Sequence, residues 1–164
     1  MIHRLSFGLV LATVLALAPR PAQGQVLLGP EVAWNDDADL GVGAGIEFDL
    51  PNLYPGIAFM GDFLWFFPGE SFDYFEFNTN LTYDFPLEET TVVPFALAGL
   101  NIGRVSYDDD RILEDGDGNT DVAFNLGGGL KFGLGSFRPR VAARFALGND
   151  NFTLFGFLPF QLAN

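Results

Sequence analysis

Ten ionisable side chains in this sequence could act together if the fold set them on one surface. They are Glu31, Glu47, Asp49, Asp62, Glu76 and Asp84 on the acidic side, and Lys131, Arg138, Arg140 and Arg144 on the basic side. The chemistry open to them is ion pairing inside an enclosed space, because an unpaired buried charge costs several kcal/mol. Around a narrow lumen such pairs form either a charged gate in a polar pore or a plug that fills the interior. A barrel of eight strands leaves little channel, which favours the plug. If the arginines pair across such a lumen, removing Arg144 should destabilise the fold.

A second set lies between Tyr107 and Asp121, where Asp115, Asp117, Asn119 and Asp121 are spaced by two. That spacing resembles the start of a calcium loop. However, the sixth position is Thr120, where glycine is needed, and the twelfth is Leu126, where glutamate is needed. The four residues are a surface calcium candidate at most, set against the plainer reading of a solvated acidic loop. Nucleophilic catalysis has little support. The single histidine is His3, and Ser71, Ser106 and Ser136 stand in or beside connections with no base at hand. Gly127–Gly129 opens no helix and is not a phosphate loop. We therefore expect no enzyme activity, no cofactor and no resident metal.

The elements that must hold the ten charges are strands. From Leu40 to Leu50 every even position is apolar and every odd position is glycine or acid. Strand side chains alternate between faces, so this segment has one apolar face and one small or charged face. The fourth segment repeats the pattern, with Phe75, Phe77, Leu81, Tyr83 and Phe85 against Glu76, Asn78, Asn80, Thr82 and Asp84. Arg138, Arg140 and Arg144 oppose Phe137, Val141, Phe145 and Leu147 in the seventh. The third segment is apolar on both faces except for Asp62, and the fifth and eighth alternate weakly. Turn-rich breaks recur every 10–15 residues and leave eight segments: roughly 26–34, 40–50, 57–67, 72–85, 91–103, 121–132, 137–147 and 152–162. None shows a sustained helical period.

Residues 1–24 read as a secretory signal peptide, with a basic start, an apolar run from Leu5 to Ala18 and small residues at Ala22-Gln23-Gly24. That run is short of the ~20 residues a spanning helix needs. Residues 25–164 then form one domain. Eight basic residues less Arg4 and Arg20 leave six against 21 acids, a balance of −15. Such a chain repels nucleic acid. It has no cysteine, hence no disulfide or thiolate metal site. With 49% hydrophobic residues and 19 Phe it is not a disordered acidic chain.

The direction of the apolar face decides the class. A soluble barrel turns it inward, and a membrane barrel turns it to lipid. The apolar face here is too large and aromatic for a narrow lumen, whereas Gly41, Gly43, Gly45, Gly127 and Gly129 suit one. Ten residues tilted by about 40° rise about 25 Å, the height of a membrane barrel's apolar band. Backbone groups in lipid must all be paired, so the sheet must close. Trp34, Trp65, Phe66, Phe67, Phe72, Tyr74, Phe85 and Phe137 fall near segment ends, as aromatic girdles do. The expectation is an all-β, eight-stranded antiparallel up-and-down transmembrane barrel with periplasmic termini and its longest connection outside.

Three stretches carry a family pattern: Pro94-Phe95-Ala96-Leu97-Ala98-Gly99-Leu100-Asn101-Ile102-Gly103, Asn125-Leu126-Gly127-Gly128-Gly129-Leu130-Lys131-Phe132 and Arg138-Pro139-Arg140-Val141-Ala142-Ala143-Arg144-Phe145. The chain resembles the small outer-membrane β-barrel family of opacity-type proteins and the transmembrane domain of outer membrane protein A. The resemblance implies a Gram-negative outer-membrane location. The implied role is structural, surface-interacting or that of a narrow porin-like pore. Its implied partners are outer-membrane lipids, the barrel assembly machinery and a surface ligand met through loop 104–120. Such proteins often end on an aromatic residue, whereas this chain ends Phe160-Gln161-Leu162-Ala163-Asn164, and Pro159 removes a ladder donor. The competing expectation is a secreted soluble barrel of lipocalin type that binds a small apolar ligand in its lumen.

Overall fold

A computed structural model describes residues 25–68, 72–87, 90–107, 119–134, 137–148 and 150–161. The stretch read as a signal peptide lies outside them. The strands are β1 Val26–Asn35, β2 Asp39–Asp49, β3 Ile57–Phe66, β4 Phe72–Asp84, β5 Val92–Tyr107, β6 Thr120–Phe132, β7 Arg140–Leu147, β8 Asn151–Phe157 and β9 Phe160–Gln161. Each pairs antiparallel with its sequence neighbour from β1 to β8, and β1 pairs with both β2 and β8, so the sheet closes on itself. β9 continues the stave of β8 and pairs Phe160 and Gln161 with Leu28 and Leu27.

Closure therefore gives eight staves from nine strands, and the interruption has a local cause. Pro159 has no N–H to give the ladder. The chain swings at Leu158, whose N–H donates to the Pro30 carbonyl at 3.0 Å. Gly29 makes room for the swing: a Cβ there would fall within contact distance of Leu158 and Pro159 backbone atoms.

The period-two pattern sorts the faces. In β1, Leu27, Glu31, Ala33 and Asn35 are buried and Leu28, Val32 and Trp34 are exposed. In β7, Arg140, Ala142, Arg144 and Ala146 are buried, and Val141, Phe145 and Leu147 are exposed. The outer surface is thus apolar: Val122 is 66% and Val32 58% exposed, whereas Arg144 and Glu31 are each 2% exposed. In β3, where the sequence offers two apolar faces, Ala58, Met60, Asp62, Leu64 and Phe66 point inward. The lumen is therefore not filled by glycine and charge alone. Met60, Leu64, Phe66, Phe95, Leu97, Phe155 and Phe157 are buried in it together. Glycines on neighbouring strands leave the volume these rings occupy: Gly41 is paired with Phe66, and a Cβ on it would meet the Phe66 ring at 2.7 Å.

The connections divide as expected, in number and in length. Those between β2 and β3, β4 and β5, and β6 and β7 share an end with the termini. Those between β1 and β2, β3 and β4, β5 and β6, and β7 and β8 lie at the other end, termed the outer end, with the termini at the inner end, and the β5–β6 connection is the longest.

Candidate functional site: a charged lumen

The lumen is crossed by ion pairs at three levels. Nearest the outer end, the Arg144 guanidinium on β7 donates to both oxygens of Asp62 on β3, at 2.9 and 3.1 Å, and to Glu76 on β4 at 2.9 Å. One level down, Arg140 forms a two-pronged ion pair with Glu47 on β2. At the inner rim, the Lys131 ammonium on β6 lies 3.3 Å from Glu47 and 2.7 Å from Asp84. In an eight-stave cylinder β3 and β7 are opposite, as are β2 and β6. Arg144–Asp62 and Lys131–Glu47 therefore tie opposite walls together, Arg144–Glu76 and Arg140–Glu47 join staves three apart, and Lys131–Asp84 joins staves two apart.

Each cation also rests on an aromatic face. Arg144 lies 4.9 Å from the Phe155 ring centre, Arg140 4.9 Å from Phe157, and Lys131 5.2 Å from Phe95. The rings come from the strand next to each base, so the wall holds the cation while a carboxylate pulls from across the lumen. Double anchoring fixes long side chains that would otherwise sample many rotamers.

Asparagines satisfy most of the remaining polar groups. Asn78 donates to Asp62 at 2.9 Å and accepts from Asn101 at 2.9 Å and Asn125 at 2.8 Å. Asn125 also donates to Asn80 at 3.1 Å. At the outer mouth, Asn35 donates to Thr153 at 3.0 Å and Glu76 at 3.3 Å, and Tyr74 donates to Glu76 at 3.1 Å. The Asn35 side-chain oxygen Oδ1 caps the β1–β2 turn by accepting from the Asp37 and Ala38 N–H groups at 2.9 and 3.0 Å. This folds Ala38 inward against the lumen cluster, where it is buried. Asp36 then locks the turn to β8 through two bonds with Phe152.

Of the ten charges named from the sequence, the structure brings Glu47, Asp62, Glu76, Asp84, Lys131, Arg140 and Arg144 into this network. Glu31 is buried among them, with no hydrogen bond to either carboxylate oxygen. It lies against Gly45, where a Cβ would approach its Oε1 to 2.7 Å. Two residues depart from the expectation. Asp49 ends β2 and is exposed at the inner rim. Arg138 is exposed too, because β7 begins only at Arg140. The asparagine row and the three aromatic supports were not singled out from the sequence. The alternation signal for Asn101, Phe155 and Phe157 was present but weak, since β5 and β8 mix small and apolar residues on both faces.

Of the calcium candidate, Asp115 and Asp117 lie outside the described residues. Asn119 and Asp121 are exposed, and the Asn119 amide donates to the Asp121 carboxylate at 2.9 Å. Among the described residues, no group of three or more His, Cys, Asp or Glu side chains is placed to hold a metal ion. No helix among them is long and apolar enough to cross a membrane, which says nothing of crossing by strands.

No protein-family model matches the chain, and no curated protein is similar to it in sequence. Solved structures are similar in fold. The N-terminal β-barrel domain of Pseudomonas aeruginosa OprF superposes with a TM-score of 0.64 at 15% identity, covering 85% of this chain and 100% of that one. Neisserial surface protein A gives 0.60 at 13% identity, over 85% and 97%. The attachment invasion locus protein Ail of Yersinia pestis gives 0.60 at 15% identity, over 84% and 95%. The chain has the fold of the small eight-stranded outer-membrane β-barrels.

Proposed function

We propose that the chain is an integral barrel of the bacterial outer membrane that acts as a closed structural and surface-presenting module rather than as an open pore. The observation that carries this reading is the pairing of an apolar exterior with a lumen braced by ion pairs. A soluble barrel has no use for Leu40, Val122 and Leu126 on its outside, all more than half exposed. Lipid accepts such a surface, and a closed sheet leaves no backbone group unpaired in it. The lipocalin alternative needs an apolar ligand cavity, and here the interior holds buried charges, amides and rings.

Closure to ions rests on two supports. Arg144, Asp62 and Glu76 span the lumen toward its outer end, and the β1–β2 turn folds Ala38 inward above them. The turns at the outer end are left as the part that meets the surroundings, and no residue arrangement described above favours catalysis. The test is refolding into lipid vesicles and planar bilayers. The expected result is heat-modifiable gel migration with no resolved single-channel steps. Stable open-channel steps would overturn the closed reading, and a monomeric folded protein without detergent or lipid would overturn the membrane reading.

A further inference from the structure

Glu31 is the buried charge that the ion-pair network does not use. Its side chain is buried, and neither carboxylate oxygen accepts a hydrogen bond. The register explains the isolation. Glu31 pairs with Gly43 on β2 and with Phe157 on β8, so neither lateral neighbour offers a donor side chain. Its own strand places Gly29 and Ala33 at the same parity. The carboxyl lies against Gly45 and the Phe157 ring: a Cβ on Gly45 would come within 2.7 Å of Oε1 and 3.1 Å of that ring.

The arginines are committed elsewhere. Both terminal nitrogens of Arg140 go to Glu47, and those of Arg144 go to Asp62 and Glu76. Their Nε groups donate to no acceptor, Glu31 included. Of the charges around Glu31, Asp62 on β3 repels it, and Arg144 and Arg140 on β7 attract it. Glu47 on β2 and Glu76 on β4 hold those same arginines, and β8 brings no ionisable group.

The charges in the lumen do not balance. Among the described residues, four fully buried carboxylates, Glu31, Glu47, Asp62 and Glu76, stand against the two guanidiniums of Arg140 and Arg144. Lys131 adds a third cation at the inner rim, shared between Glu47 and Asp84. Four acids less three bases leave one negative charge uncompensated, even before Asp84 is counted. An ionised carboxylate without a partner is very costly in a dry interior, and such a group neutralises instead. Neutralisation by a metal ion needs several ligands, and no group of three or more acids is so placed among the described residues.

We infer that Glu31 is a proton-binding site: on folding, its carboxylate takes one proton from solvent and keeps it at neutral pH, which completes the charge balance of the lumen. This rests on the closed reading above, since water in an open channel would solvate the carboxylate.

Infrared spectroscopy of the barrel refolded in lipid vesicles tests it. A protonated carboxylic acid gives a C=O band well above the carboxylate bands. One such band should be present at neutral pH, move when the glutamate side-chain carboxyls are labelled with carbon-13, and vanish in Glu31→Gln, which has the shape of the neutral acid. Should that variant not refold, Glu31→Ala serves the same subtraction. Urea unfolding supplies a sign. The unfolded chain ionises Glu31 above about pH 4 while the folded barrel holds the proton. The unfolding constant of the natural protein should therefore rise relative to that of Glu31→Gln by about tenfold per pH unit toward neutral pH. A ratio that does not change with pH, or a Glu31→Gln barrel less stable than the natural one at neutral pH, means an ionised Glu31 and overturns the inference. So does the absence of a glutamate acid band. Planar-bilayer recordings separate the failures: a missing band in a non-conducting barrel overturns the proton site alone, and a missing band with open-channel steps overturns the closed reading with it.

Discussion

β7 and β3 face each other across the lumen and are built in opposite ways. β7 alternates strictly, with arginine and alanine inside and Val141, Phe145 and Leu147 outside. β3 is apolar on both faces and carries one acid, Asp62. Yet the two strands meet in one bond set, because Arg144 reaches Asp62 and through it the asparagine row. The difference shows that a charged lumen does not need charge evenly spread around its wall. One basic strand and scattered acids suffice when glycines and alanines let long side chains cross.

The comparison is broken most directly at Arg144. Arg144→Ala strands Asp62 and Glu76 without their counter-charge. Removing one partner of a buried pair costs about 3–5 kcal/mol, so the urea midpoint in vesicles should fall markedly. Asp62→Ala should cost less, since Arg144 keeps Glu76. In the double variant the losses should fall short of their sum. Strict additivity would show that the two walls are not coupled.

Next in size is Val141→Arg, on the outward face of β7. At mid-bilayer it should cost roughly 2–4 kcal/mol by the same measurement. A near-neutral result would show that this face is solvated. The aromatic supports come third. Phe155→Leu keeps most of the apolar volume and removes the ring under Arg144, so a loss of about 1 kcal/mol is expected. A loss as large as that of Arg144→Ala would make the ring, not the carboxylates, the chief anchor. Smallest are Asp49→Asn and Arg138→Gln. Both side chains are exposed and lie outside the network, and their effects should stay within about 0.5 kcal/mol. A larger loss from either would place it in a pairing that the structure does not contain.

Those two residues also show where reading a sequence stops. Asp49 has the right parity for the lumen, but parity says nothing of where the lumen ends. Arg138 shares the parity of Arg140 and Arg144, but β7 begins only at Arg140, so the alternation does not fix its face. In β3 no period could tell inside from outside, since Met60 and Phe59 are equally apolar. The phenylalanines of the lumen depart from expectation for a related reason: crowding there is set by several strands together, not by one. Gly41 and Gly45 on one strand leave room for Phe66 and Phe157 of others.

What the sequence determined by itself is the period: two faces per strand, one apolar and one small or charged, repeated often enough to require a closed sheet. This is legible because side-chain alternation is set by local backbone geometry. What only the tertiary structure decided is which charge meets which, that Glu31 is buried without a hydrogen-bonded partner, and that the last stave swings at Pro159. Contacts across a lumen depend on the stagger of strands far apart in the chain, and no local pattern encodes that stagger.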